Sequence, residues 1–223
     1  MDPSLTGRPR STAGVGAVSV LVVALTAAGY AFGVLLAPLT RSRMFPWEVA
    51  RATGIGAFLA LGAVTFLGLR FRKPSRRGPG GHRQTLLRFH TALVPALAVL
   101  VVAHVASLLA DRYSGVGWLS LLVPGRSAYR PAAVALGTSA LYLLVVIVGS
   151  AALAGRAVVR ARWVGFHRLA YPLFGLVWLH GVLAGSDTPR LRALYVIVGL
   201  AVGAATLPVL NRDRNRVAPG AAR

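Results

Sequence analysis

Four of the chain's five histidines fall in two apolar stretches at nearly the same interval: His90 and His104 in one, His167 and His180 in the other. Imidazole is a common ligand for transition metals, and an ionisable side chain at membrane depth is costly enough to mark function. Separations of fourteen and thirteen residues correspond to about 20 Å along a helix. Ligands of a single zinc ion converge within about 2 Å of it, so residues this far apart cannot share one. Two separate zinc sites would need carboxylates, and the five acids (Asp2, Glu48, Asp111, Asp187 and Asp213) all lie outside the apolar stretches. Two imidazoles facing each other across a bundle instead meet the axial demand of a six-coordinate haem iron. The pattern predicts two b-type haems at two levels, with His90, His104, His167 and His180 as the iron ligands. The absence of cysteine excludes c-type haem attachment, iron–sulfur clusters and disulfides.

Such ligands need helices that cross a bilayer. Hydrophobic residues make up 56% of the chain and charged residues only 13%, with a mean hydropathy of +0.65. A soluble domain of this size needs a far more polar surface. Six apolar stretches, at about 14–38, 49–69, 89–110, 132–155, 164–184 and 193–210, approach or exceed the roughly 20 residues that span a bilayer. The expected fold is all-α, a polytopic bundle of six transmembrane helices over 14–210, with polar tails at 1–13 and 211–223. The first stretch is too long for a signal-peptide core and is read as a retained helix.

Charge sets the expected orientation. With the N-terminus inside, 17 of the 25 Lys and Arg residues fall on that side and 8 on the other. This is the positive-inside asymmetry with both termini cytoplasmic. The net charge of +20 is thereby assigned to topology and to anionic lipid head groups, not to nucleic acid. Arginine in place of lysine, with abundant Ala, Val and Gly, points to a GC-rich bacterial genome and so to a bacterial cytoplasmic membrane.

On this topology the third and fifth spans run parallel, so direction alone pairs the histidines. His90 should face His167 at an inner level, and His104 should face His180 at an outer one. Fourteen residues return to within about 40° of the starting face, but thirteen leave His180 about 140° away from His167 on an ideal helix. Pro95 and Pro172 lie between the histidines, and distortion near Pro172 is expected to reorient His180. His82, in the basic Arg70–Arg88 segment, is read as a solvated loop residue. That segment is a Gly/Pro-rich linker or a docking surface for an acidic partner. The apolar Trp118–Pro124 stretch suits a short interfacial piece over the outer end of the bundle. Gly199 and Gly203 suit close helix packing.

The residues around the histidines also resemble the ferric reductase-like transmembrane domain, the haem-carrying membrane part of ferric reductases and NADPH oxidases. The resemblance covers about residues 46–190. It rests on Pro46-Trp47, Arg51-Ala-Thr-Gly54, Phe89-His90, His104, Leu122-Val-Pro124 and Tyr129-Arg-Pro131. It continues through Phe166-His-Arg-Leu-Ala-Tyr171, Trp178-Leu-His-Gly181 and Gly185-Ser-Asp187. The likeness implies six helices and two b haems, with His90 and His167 on the inner one and His104 and His180 on the outer. It makes Arg88 and Arg168 at the inner level, and Arg51 and Arg130 near the outer, either haem-propionate partners or interfacial topology charges. The sequence departs from the full-length family in having no G-x-G-x-x-G after a strand, and no FAD or NADPH site is expected here.

The expected function is transmembrane electron transfer. Electrons would come from a separate cytoplasmic flavoprotein or from membrane quinol, and would pass to an outer-face acceptor such as a protein or a ferric chelate. Two other classes fit the composition. One is a haem-free membrane scaffold or assembly factor whose histidines only bridge helices. The other is a small transporter, against which stand the lack of intramembrane acids and of an evident inverted repeat.

Overall fold

The computed structural model describes residues 43–71, 81–153, 162–163 and 165–217. The expected first span at 14–38 and the tail before it lie outside the described residues. So do 72–80 in the basic segment and 218–223 at the C-terminus. The described residues from Pro46 onward belong to one compact unit.

The fold is all-helical, with no strand among the described residues: α1 (Phe45–Phe71), α2 (Gly81–Ala110), α3 (Trp118–Leu122), α4 (Pro131–Ala152), α5 (Ala170–Ala184) and α6 (Thr188–Val217). Among the described residues, four stretches are long and apolar enough to cross a membrane: Phe45–Arg70, Arg83–Ala110, Pro131–Ala152 and Thr188–Pro208. These correspond to the second, third, fourth and sixth expected spans. α5 has 15 residues, about 22 Å of helix, and falls short of a roughly 30 Å hydrocarbon core by itself. Residues 162–163 and 165–167 before it are also helical.

Local chemistry accounts for the helix ends. Glu48 in the first turn of α1 and Arg70 in its last both complement the helix dipole. Pro131 opens α4 where its missing N–H is not needed, after Arg130 turns the chain through a left-handed conformation (φ 39°). The Asp187 carbonyl accepts from the amides of Arg190 and Leu191, closing the first turn of α6. α2 begins eight residues before the expected start, because Gln84-Thr85-Leu86-Leu87 continues the helix into the basic segment with Arg83 and Arg88 exposed. His82 is therefore on a helix, not in a loop. α6 likewise runs past residue 210 to Val217.

A winding change lies next to the proline between His167 and His180, as expected. Pro172 sits in the first turn of α5, where it removes no helical bond. The winding changes just upstream. The amides of Arg168, Leu169 and Tyr171 bond to the carbonyls of Gly165, Phe166 and Arg168, each three residues back. Such turns wind at 3.0 residues instead of 3.6 and advance the face in the sense that carries His180 back toward that of His167. Pro95, by contrast, lies inside an uninterrupted α2.

α4 packs most extensively on α5, which also packs, less extensively, on α6. Gly181 and Gly199 permit the second contact. A Cβ on Gly181 would meet the Tyr195 ring at 2.9 Å, and one on Gly199 would meet Trp178 Nε1 at 3.0 Å. Gly203 has open space around it, so only one half of the G-x-x-x-G pair packs closely. Phe58, Leu61, Leu97, Leu173, Phe174 and Val202 form the buried core. Phe58 stacks on Phe174 at 6.2 Å and tilts against Tyr195 at 5.0 Å. Leu97 is midway between His90 and His104, so this apolar layer separates the two histidine levels.

Candidate functional site

The structure brings the four histidines together as two pairs. The rings of His90 and His167 have centroids 6.0 Å apart, and those of His104 and His180 are 6.3 Å apart. The interplanar angles are 70° and 77°. Metal–imidazole bonds of about 2 Å, with about 1.1 Å from nitrogen to ring centre, separate two coaxial imidazoles on one metal by about 6.3 Å. Both pairs have the spacing of two rings sharing one iron. Among the described residues no three of His, Cys, Asp or Glu cluster as a metal site.

Each ring is held by the helix beside it. His90 Nδ1 lies 2.9 Å from the Val64 carbonyl, His104 Nδ1 2.7 Å from Ala50, and His180 Nδ1 2.8 Å from Ala133. A carbonyl oxygen only accepts, so each Nδ1 carries the proton and donates. Nε2 then keeps its lone pair for a metal, and the bond raises its basicity. His167 is set differently, stacked on the Trp163 indole at 5.0 Å and 20°.

Three glycines make room for these rings. A Cβ on Gly54 would come within 2.9 Å of the His104 ring, and one on Gly137 within 2.7 Å of His180. One on Gly68 would come within 3.4 Å of His90. Each glycine follows the accepting carbonyl by four residues, so the carbonyl and the bare backbone are neighbours on one helix face. The same carbonyl-and-glycine device recurs at Ala50/Gly54, Val64/Gly68 and Ala133/Gly137. Sequence reasoning missed it, although a signal existed. Gly54 and Gly68 are fourteen residues apart, the interval of His104 and His90 on the antiparallel neighbour.

A cavity with about 1420 Å³ of space free of protein atoms, part of it at an open mouth, adjoins the His104–His180 pair. Its walls are almost wholly apolar and include Gly54, Gly137, Phe58, Leu97 and Leu173. Cofactor pockets have this apolar character. The lining is chemically compatible with an apolar group that carries a metal between the two imidazoles.

The mouth is polar. Arg51 forms a two-pronged ion pair with Asp187, with Nε 2.7 Å from Oδ2 and Nη2 bonded to Oδ1. The pair ties the start of α1 to the start of α6. Tyr129 lies beside it, donating to the Ala184 carbonyl at 2.9 Å and meeting Trp47 edge-on at 5.5 Å. Arg130 lies over the Tyr129 ring, with Nη1 2.7 Å from the Leu183 carbonyl. Arg51 lines the cavity, whereas Arg130 does not. Arg88 and Arg168 are exposed at the other level, on α2 and on the turn before α5. Asp187→Asn should cost about 1 kcal/mol, the scale of a half-exposed ion pair. It would be read as a lower denaturation midpoint, and an unchanged midpoint would mean that the pair does not hold the two helix ends together.

No family model matches the chain, and no curated protein or solved structure is recognisably similar to it.

Proposed function

We propose that this chain is a di-haem b membrane protein that carries electrons from one face of a bilayer to the other. The observation that carries the reading is the geometry of the two histidine pairs. Each pair has the spacing of two axial imidazoles, and three of the four rings are fixed so that Nε2 is left for a metal. His90 and His167 would hold one haem, and His104 and His180 the other. A bound haem b would supply a one-electron iron couple. The chain's own residues hold the rings, keep the site apolar and set its mouth. Arg51 and Arg130 near one level, and Arg88 and Arg168 near the other, are the candidates to meet propionates. Arg51 would do so while held by Asp187.

The wider setting belongs to the same proposal. The chain spans the membrane six times, with both termini cytoplasmic, and sits in a bacterial cytoplasmic membrane among its lipids. The His90–His167 level then lies inside and the His104–His180 level outside. A separate flavoprotein or membrane quinol reduces the inner level, and an acceptor protein or ferric chelate oxidises the outer one. The likeness to the ferric reductase-like transmembrane domain supports this reading through the flanks of the four histidines.

One observation favours the haem-free scaffold: three histidines do bridge helices through Nδ1–H bonds. Bridging alone, however, does not require the rings to face each other in pairs. The two readings separate in a dithionite-reduced minus oxidised spectrum of the purified protein, with haem measured per chain. Two b-type haems are expected. No Soret band after expression with ample haem would leave the scaffold.

A further inference from the structure

The segment between α2 and α4 is hydrogen-bonded to the side of α4. Thr138 Oγ1 donates to the Ser120 carbonyl at 2.8 Å, and the Tyr142 hydroxyl donates to the Leu122 carbonyl. Thr138 is seven residues into α4 from Pro131, about 10 Å along the helix. Tyr142 is one turn deeper, but a long helical side chain leans back toward the N-terminal end, here toward Pro131. Both hydroxyls therefore reach one level, about 10 Å below the start of α4. An α4 of 22 residues is about 33 Å long and just covers a roughly 30 Å hydrocarbon core. A point about 10 Å down it is inside that core.

Backbone at this depth must have its polar groups satisfied by protein. A five-residue helix leaves its last carbonyls without helical partners. Here Leu119 accepts from the Val123 amide at 2.8 Å, Ser120 from Thr138, Leu122 from Tyr142, and Val123 from the Arg126 amide at 3.2 Å. One side of the segment faces the protein: Ser120 is buried, and Val116 and Leu121 line the cavity beside His180. The other side is apolar and exposed, with Trp118 at 71%, Leu119 at 54% and Leu122 at 65% of their full accessibility. It continues the exposed apolar face of α4 at Val145 and Val146.

We infer that Trp118–Val123 is a re-entrant membrane segment whose exposed face contacts lipid acyl chains and whose buried face walls the His104–His180 cavity from the bilayer. Thr138 and Tyr142 are the hydroxyls that make this depth tolerable, by taking up the carbonyls that water would otherwise solvate. The inference goes beyond the electron-transfer reading and does not depend on what the histidines hold.

The chain has no cysteine, so single cysteines can each carry one nitroxide on the full-length protein in lipid nanodiscs. Collision with oxygen reports lipid, and collision with a water-soluble nickel chelate reports the aqueous phase. Labels at Leu119→Cys and Leu122→Cys should match a label at Val145→Cys, with an oxygen-to-nickel ratio severalfold above that at Tyr113→Cys and Arg126→Cys. A Leu122 label as open to nickel as the Arg126 label would overturn the inference. Should Leu122→Cys fail to fold, Leu119→Cys and Val123→Cys give the same reading. Adding Thr138→Val and Tyr142→Phe should shift the Leu122 label toward the aqueous value. No shift would overturn the role given to the two hydroxyls.

Discussion

His104→Ala and His180→Ala should each abolish the same low-spin haem centre and leave the other intact. His90→Ala and His167→Ala should abolish the second centre and spare the first. The expectation follows from pairing across two levels. On the proposed reading each pair shares one centre, and about 20 Å of helix with an apolar layer separates the two pairs. A redox titration with haem quantified per chain checks it. Two waves should become one, with the same wave lost for both members of a pair. A combination such as His90→Ala with His104→Ala should remove both. If all four single variants kept the intact spectrum and haem content, the histidines would only bridge helices.

The second large effect comes from glycines that no ligand search would select. Glycine to alanine within a helix normally favours the helix by about 1 kcal/mol. At Gly54 and Gly137 the sign should reverse, because the new Cβ would lie 2.9 Å and 2.7 Å from an imidazole whose Nδ1 is already tied to a carbonyl. Overpacking of this kind costs about 1–3 kcal/mol. Gly54→Ala and Gly137→Ala should therefore disturb the His104–His180 centre selectively, as a displaced potential, an altered EPR signal or loss of that haem. Gly68→Ala, with 3.4 Å available beside His90, should perturb its centre far less. Gly203→Ala, with nothing nearby, should leave both centres unchanged and serve as the control. Indistinguishable spectra across all four variants would remove any role for the glycines in seating the rings.

Much of the helical framework was legible because it rests on local rules. Apolar runs of membrane-spanning length gave the four long helices, and the interval and direction of the histidines gave the pairing. The structure brings both pairs within 6.3 Å, as direction alone required. What sequence did not disclose depends on side chains meeting across long separations. The Arg51–Asp187 pair joins residues 136 apart, and nothing near Arg51 in the chain names its partner. Sequence placed the Trp118–Pro124 stretch over the outer end of the bundle and could not disclose its hydrogen bonds to Thr138 and Tyr142 of α4, which join residues 18 and 20 apart. The winding change expected near Pro172 lies in the turn from Arg168 to Tyr171 that precedes it, but its form, successive bonds three residues back, was not legible. The start of α2 was placed too late because charge was read as loop, although Arg83 and Arg88 merely point outward from a helix.

The apolar layer around Phe58, Leu97 and Phe174 has an energetic consequence beyond packing. Among the described residues, the stretches of α1, α2 and α4 between the two histidine levels (55–67, 91–103 and 138–150) carry no Asp, Glu, Lys, Arg or His. These stretches offer only hydroxyls such as Thr65, Thr138 and Tyr142, so on the proposed reading an electron that crosses without a proton is an uncompensated charge. Turnover would then be electrogenic. A charge moved across the full membrane exchanges about 2.3 kcal/mol per 100 mV. Outward electron flow runs with the usual inside-negative potential and dissipates it, so the membrane voltage itself would act as part of the driving force on this protein.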